Sequence, residues 1–112
     1  MEHEMKLQPE YYNFILNGTK RIEIRLFDEK RQQIKIGDTI KFLKEPDLNE
    51  SFNAKVTGLL RYNSFEDLFE DIDFNICGPA NSLEEKLDNI HKIYSIEDEK
   101  KYGILAIRIE KV

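Results

Sequence analysis

The stretch Gly18-Thr19-Lys20-Arg21-Ile22-Glu23-Ile24-Arg25-Leu26 decides how the rest of this 112-residue chain is read. Asn17-Gly18 supplies the left-handed stop that ends a helix. From Lys20 onward the period is two: Ile22, Ile24 and Leu26 point one way, Arg21, Glu23 and Arg25 the other. A helix therefore hands over directly to a half-buried strand with a charged face. Between Gly18 and Gly37, six cations (Lys20, Arg21, Arg25, Lys30, Arg31, Lys35) meet three acids (Glu23, Asp28, Glu29), a local charge of +3 in a chain whose net charge is −5. A positive stretch held in ordered structure gives an anion a place to dock, even where the overall field repels it.

On the N-terminal side of this stretch, Pro9 suits a helix's first turn, and Leu7, Tyr11, Phe14 and Ile15 share one helical face. On the other side, Gly37-Asp38 reads as turn chemistry, with Gly permitting a positive φ and Asp bonding the local backbone. Thr39–Leu43 and Asn53–Tyr62 read as strands joined by a loop from Pro46 to Ser51. The second strand sets Ala54, Val56, Leu60 and Tyr62 on one side, with Gly58 as a bulge. Ser64-Phe65-Glu66-Asp67 and Ser82-Leu83-Glu84-Glu85 have the form of helix N-terminal caps, and Leu83, Leu87, Ile90 and Tyr94 then make an apolar stripe. Ser95 starts one more short turn. Gly103 opens a final strand in which Leu105, Ile107 and Ile109 alternate with Ala106, Arg108 and Glu110. This order predicts an α+β fold with a curled sheet or barrel.

Bulk properties narrow the function classes. The length predicts a single domain over residues 1–112. A hydrophobic content of 40% with 11% aromatics is that of a folded protein, not a disordered one. No apolar run nears the ~20 residues needed to span a bilayer, so no membrane partner is expected. The start Met1-Glu2-His3-Glu4 lacks the basic and apolar segments of a secretory signal, and the expected location is cytoplasmic. A lone cysteine, Cys77, allows no internal disulfide and fits a reducing compartment. With only His3 and His91 and no Cys-His cluster, neither a metal nor another cofactor is expected.

Several of these segments together resemble a known family. The helix ending in Asn17-Gly18, the pattern Gly18-x-Lys20-x-x-Glu23-x-Arg25, the turn Ile36-Gly37-Asp38 and the closing Tyr102-Gly103-Ile104-Leu105-Ala106-Ile107 are similar to the ASCH domain of the PUA-like superfamily. The resemblance runs over nearly the whole chain. It implies a small PUA-like β-barrel with flanking helices, and a cleft beside the Lys/Glu/Arg strand that binds RNA or a nucleotide.

The candidate site residues are weighed on that basis. Lys20 stands where a helix stop meets a strand start, so its amine can sit at a barrel mouth and meet a phosphate or carbonyl. Glu23 and Arg25 lie two apart on one strand face. Exposed ion pairs are worth only ~0–1 kcal/mol, so stability is a poor reason to group three charges there. Arg25 is the better phosphate ligand because its planar fork makes two hydrogen bonds at once. Arg31, beside Lys30, extends the anion-binding rim, although mixed charge in a turn is commonly just solvated. Among Tyr62, Phe65, Tyr94 and Tyr102, the tyrosines at strand termini, Tyr62 and Tyr102, are the better candidates for stacking on a base. His91 and Cys77 read as structural.

Two functions follow. The first is RNA or nucleotide binding by Lys20, Glu23 and Arg25, aided by Arg31, Tyr62 and Tyr102. With a net charge of −5 it is weak or selective, since generic nucleic-acid binders gain affinity from many basic contacts. The alternative is a small hydrolase, an amidohydrolase on acylated nucleosides or a ribonuclease, with Lys20 and Glu23 as the catalytic pair. The resemblance implies it, because some ASCH proteins are acetylcytidine amidohydrolases. Those use a lysine at the position of Lys20, a threonine three residues on and a glutamate before the last long helix. Here Glu23 stands at the threonine position, and Glu70 is only a nearby glutamate.

Overall fold

Five strands form one curled sheet in the order β1-β3-β4-β5-β2, in a computed structural model that describes residues 1–112. The strands are β1 (Glu2–Leu7), β2 (Ile22–Leu26), β3 (Thr39–Lys44), β4 (Ser51–Tyr62) and β5 (Ile104–Lys111). Four helices pack around them: α1 (Pro9–Leu16), α2 (Phe65–Asp71), α3 (Leu83–His91) and α4 (Ile96–Tyr102). The result is a mixed α+β half-barrel: the order of elements predicted a curled α+β sheet, and the family resemblance implied the barrel. Each of α2, α3 and α4 opens on a serine whose hydroxyl accepts from the N–H three residues on: Ser64 from Asp67, Ser82 from Glu85, Ser95 from Asp98. None of the four helices is long and apolar enough to cross a membrane.

Two sequence expectations need correction. The first is β1. Met5 and Leu7 are buried while Glu4 and Lys6 are exposed, a period of two that marks a strand. Leu7 therefore belongs to β1 and not to the face of α1, whose buried residues are Tyr12 and Ile15. The strand is short, and it pairs in parallel with β3, Glu2 against Thr39 through Leu7 against Lys44. A partner so distant in sequence leaves no local turn signal.

The second is the face of β4. The register slips between Val56 and Gly58, so the bulge is where it was expected, but it also changes which face follows. Ala54 and Val56 pack with Leu105, Ile107 and Ile109, and Leu59 joins them. Leu60 and Tyr62 turn to the other face, where Tyr62 packs with Ile22, Phe65, Ile104 and Ala106. The extra residue reverses the alternation. Gly58 relieves a tight approach, since a Cβ there would lie 3.2 Å from the Cβ of Arg108.

The sheet thus separates two cores. One holds Met5, Leu7, Tyr12, Ile15, Ile34, Ile40, Phe42 and their neighbours on β4 and β5. The other holds Ile22, Leu26, Phe65, Leu68, Cys77 and Ile90 under α2 and α3. Strand β2 is an edge strand with Ile22 and Leu26 facing the second core, as its period predicted. Its charged face is not simply solvated: Glu23 is 5% exposed. The curl explains this, since it brings β2 toward β1, the opposite edge, and Arg25 Nη2 donates across to the Lys6 carbonyl at 3.0 Å.

Candidate functional site

The site begins where α1 ends. Gly18, at φ +83°, turns the chain back so that the Lys20 N–H donates to the Phe14 carbonyl at 2.9 Å. This places the Lys20 side chain inward, 4% exposed. Its ammonium donates to the carbonyls of Ile22 and Cys77, each at 2.8 Å, and pairs with Glu23 Oε1 at 3.1 Å. Three acceptors therefore engage the three protons of the ammonium.

Glu23 sits between two cations. Its Oε2 alone accepts from both Arg25 Nε at 3.0 Å and Nη2 at 2.9 Å, two charge-assisted bonds to one oxygen. Burial alone would raise the carboxyl's pKa, but the Lys20 ammonium and the Arg25 guanidinium outweigh it and bring it down to about 2. Burial acts to lower the Arg25 pKa, and Glu23 overrides it, so the guanidinium is held charged. The three side chains form one ionised chain, Lys20–Glu23–Arg25, with a net charge of +1.

A residue that the sequence reading passed over completes the cluster. Lys86 projects from α3, is 3% exposed, and donates to the carbonyls of Gly78 at 2.7 Å and Cys77 at 3.2 Å. Burial, and then the neighbouring Lys20 charge, lower its pKa to about 8. The signal was present: Leu83, Lys86, Leu87 and Ile90 occupy consecutive positions of one helical stripe, and a lysine inside an apolar stripe must either snorkel or find acceptors.

These groups line one cleft of about 250 Å³ together with Leu7, Tyr11, Ile24, Glu45, Phe65, Cys77 and Tyr94. The Tyr11 ring lies 5.8 Å from Lys20 Nζ and 5.5 Å from Lys86 Nζ, within cation–π range of both. Tyr94 stacks on Phe65 at 5.9 Å. Glu99 of α4 fixes the start of α2 by accepting from the Phe65 N–H at 2.8 Å, and His91 Nε2 lies 2.8 Å from its other oxygen. Burial raises the pKa of both Tyr11 and Tyr94, so each phenol keeps its proton.

The remaining sequence candidates lie elsewhere. Tyr62, which ends β4, and Tyr102, which closes α4 and does not stand at the expected strand terminus, line a second concavity with Arg61, Asn63, Lys100 and Lys101. There the Tyr62 hydroxyl donates to Asp71, and burial with that bond pushes its pKa up to about 12. Arg31 is paired with Asp28 at 3.1 Å and does not line the Lys20 cleft. Glu70 is exposed on α2 and lines neither concavity. Asp38, expected in a turn, accepts from the Lys35 N–H, pairs with the chain's amino terminus and lies 2.8 Å from His3 Nε2. Burial pushes the Cys77 thiol up to about 11, away from nucleophile chemistry. No three His, Cys, Asp or Glu side chains converge as a metal site.

The half-barrel with this buried, charged cleft defines a PUA-like domain, and the chain belongs to the ASCH domain family, whose model matches residues 5–112. No curated protein matches it. Among solved structures it is similar to hypothetical protein PH0355, with 42% identity over the whole of both chains and a TM-score of 0.90. It is similar to protein PF0455 from Pyrococcus furiosus at 40% identity, covering 100% of this chain and 98% of that one, with a TM-score of 0.81. The ASCH domain from Lactobacillus crispatus is 15% identical, covers 98% of this chain and 79% of that one, and superposes with a TM-score of 0.73. At that identity it is the fold that is shared.

Proposed function

We propose that this chain binds RNA or a nucleotide in the cleft formed by Lys20, Glu23, Arg25 and Lys86 and walled by Tyr11 and Tyr94. The observation that carries the reading is the burial of the ion pair Lys20–Glu23, with Arg25 half-buried beside it. Taking charges out of water is costly, and an apolar trio of similar volume would stabilise the fold at least as well. Charges kept in such a place are better explained by a ligand. The cleft is lined by four cations, Lys6, Lys20, Arg25 and Lys86, and two acids, Glu23 and Glu45, so it is positive within an acidic chain. Arg25, on the rim, has its Nε and Nη2 committed to Glu23 and Lys6 and offers Nη1 to a phosphate, and the tyrosines offer faces for a base.

The +2 cleft sets the scale of binding. Two compensated phosphate charges give a slope of log K against log salt between about −1 and −2, far shallower than that of a generic nucleic-acid binder. Arg25→Ala should weaken binding about tenfold, or ~1.4 kcal/mol, while the fold persists because Glu23 keeps Lys20. Fluorescence titration with a varied pool of short RNAs at low salt checks both. A wild type that binds none of the pool would sink the reading, and equal binding by Arg25→Ala would move the site elsewhere.

Geometry ranks hydrolysis by the Lys20/Glu23 pair second. A general base needs a free lone pair within reach of its proton. Lys20 has all three protons engaged by acceptors, and Glu23 has both oxygens engaged by cations.

A further inference from the structure

Lys86 is the unexplained charge of the cleft. It is almost fully buried and forms no ion pair; its two acceptors are the main-chain carbonyls of Cys77 and Gly78. An ammonium carries three protons, so one is left without an oxygen acceptor, with the Tyr11 ring 5.5 Å from Nζ. Buried lysines are otherwise found paired with a carboxylate. Lys20 Nζ donates to the same Cys77 oxygen at 2.8 Å. Two ammonium groups thus converge on one carbonyl. The backbone leaves room for them: Gly78 has φ +121°, and a Cβ there would lie 2.9 Å from Lys86 Nζ and 3.0 Å from the Tyr11 ring.

We infer that Lys86 is the seat of a terminal phosphate, so that the cleft's ligand is a phosphomonoester, either a mononucleotide or a phosphorylated end of RNA. This rests on the nucleotide reading above and deepens it. The charge count favours a monoester: the lining is +2, which a phosphomonoester dianion matches and a backbone phosphodiester, with one charge, does not. Volume points the same way. About 250 Å³ lies just below the roughly 300–1,000 Å³ of sites that enclose a drug-sized ligand, so a chain end fits and a run of nucleotides does not.

The seat is linked to protons. Lys86 faces Lys20, Glu23 and Arg25 from the β2 side, Tyr11 and Glu10 from α1, Cys77 from the turn before α3, and Tyr94 beyond its own helix. Its pKa of about 8 in the free protein is raised by an arriving anion. A pKa that is higher in the bound state means that binding takes up a proton near pH 8. It also means that affinity falls above pH 8, by up to about tenfold per unit.

The test is isothermal titration at pH 8 in two buffers of different ionisation enthalpy. The probes are inorganic phosphate, uridine 5′-monophosphate, uridine, and short RNAs with 5′-phosphate, 3′-phosphate or only hydroxyl ends. The phosphomonoester compounds should bind at least tenfold more tightly than their hydroxyl counterparts, with uptake of about half a proton per site. Lys86→Met should lose both the preference and the uptake, whereas Lys86→Arg should keep the preference without the uptake. A wild type indifferent to the phosphate, or a folded Lys86→Met that still prefers it, would overturn the inference. Should Lys86→Met not fold, the wild-type proton uptake and its loss in Lys86→Arg decide. Hydroxyl-ended RNA that binds through Arg25 with no gain from a phosphate would overturn the seat and leave the RNA reading standing. Phosphate binding with proton uptake but no gain from nucleoside or RNA would do the reverse.

Discussion

Glu23→Gln is expected to destabilise the protein by about 3–5 kcal/mol, because it leaves the buried Lys20 ammonium and the half-buried Arg25 guanidinium side by side without their shared carboxylate. Glutamine preserves the shape and can still accept from one of them, so the loss is a loss of charge compensation and not of packing. For a chain of 112 residues this corresponds to a fall in Tm of roughly 12–20 °C. Urea unfolding at pH 7 measures it. A loss below about 1 kcal/mol would mean that water screens the trio as it does a surface pair. A triple variant with Lys20→Met, Glu23→Leu and Arg25→Met should recover much of the stability and lose ligand binding, which separates the two roles of these charges.

The second large effect is acid sensitivity. Glu23 has a folded-state pKa of about 2 against 4.5 for the ordinary side chain. A depressed carboxyl pKa contributes stability that is fully present above the unfolded value and is lost as pH falls through the folded one. The window is therefore about pH 4.5 down to 2, and the loss through this one group is about 3 kcal/mol. Asp38, also lowered to about 2, chiefly by its bond with His3 and then by the Lys35 N–H, acts in the same direction. Urea unfolding of wild type and Glu23→Gln at pH 7, 4 and 2.5 should give curves that converge toward acid, because a protonated Glu23 resembles glutamine. Curves that stay parallel would show that the carboxylate charge is not what holds the trio.

Much of the fold was legible because its signals are local. The period of two in Ile22–Leu26 and Ile104–Ile109, the serine caps of three helices and the glycine bulge in β4 are each written in a few adjacent residues. Strand β1 was not, since its partner β3 lies more than thirty residues away and Leu7 also fits the helical face that follows. The site divides along the same line. Lys20, Glu23 and Arg25 share one short stretch and meet in the structure. Tyr11, Tyr94 and Lys86 were hidden inside apolar stripes, where pattern alone assigns a side chain to the core. Their convergence depends on the turn at Cys77-Gly78, whose carbonyls and missing Cβ accommodate both lysines. Such a long-range assembly leaves no trace in spacing.

The most direct test of the central claim is to map where RNA touches the folded protein. In a ¹⁵N-labelled sample titrated with short RNA, the amide shifts should concentrate at Ile22–Arg25, at Cys77 and Gly78, and at Tyr11 and Tyr94. Shifts confined to Arg61–Asn63 and Lys100–Gly103 would put the ligand in the second concavity and contradict the account.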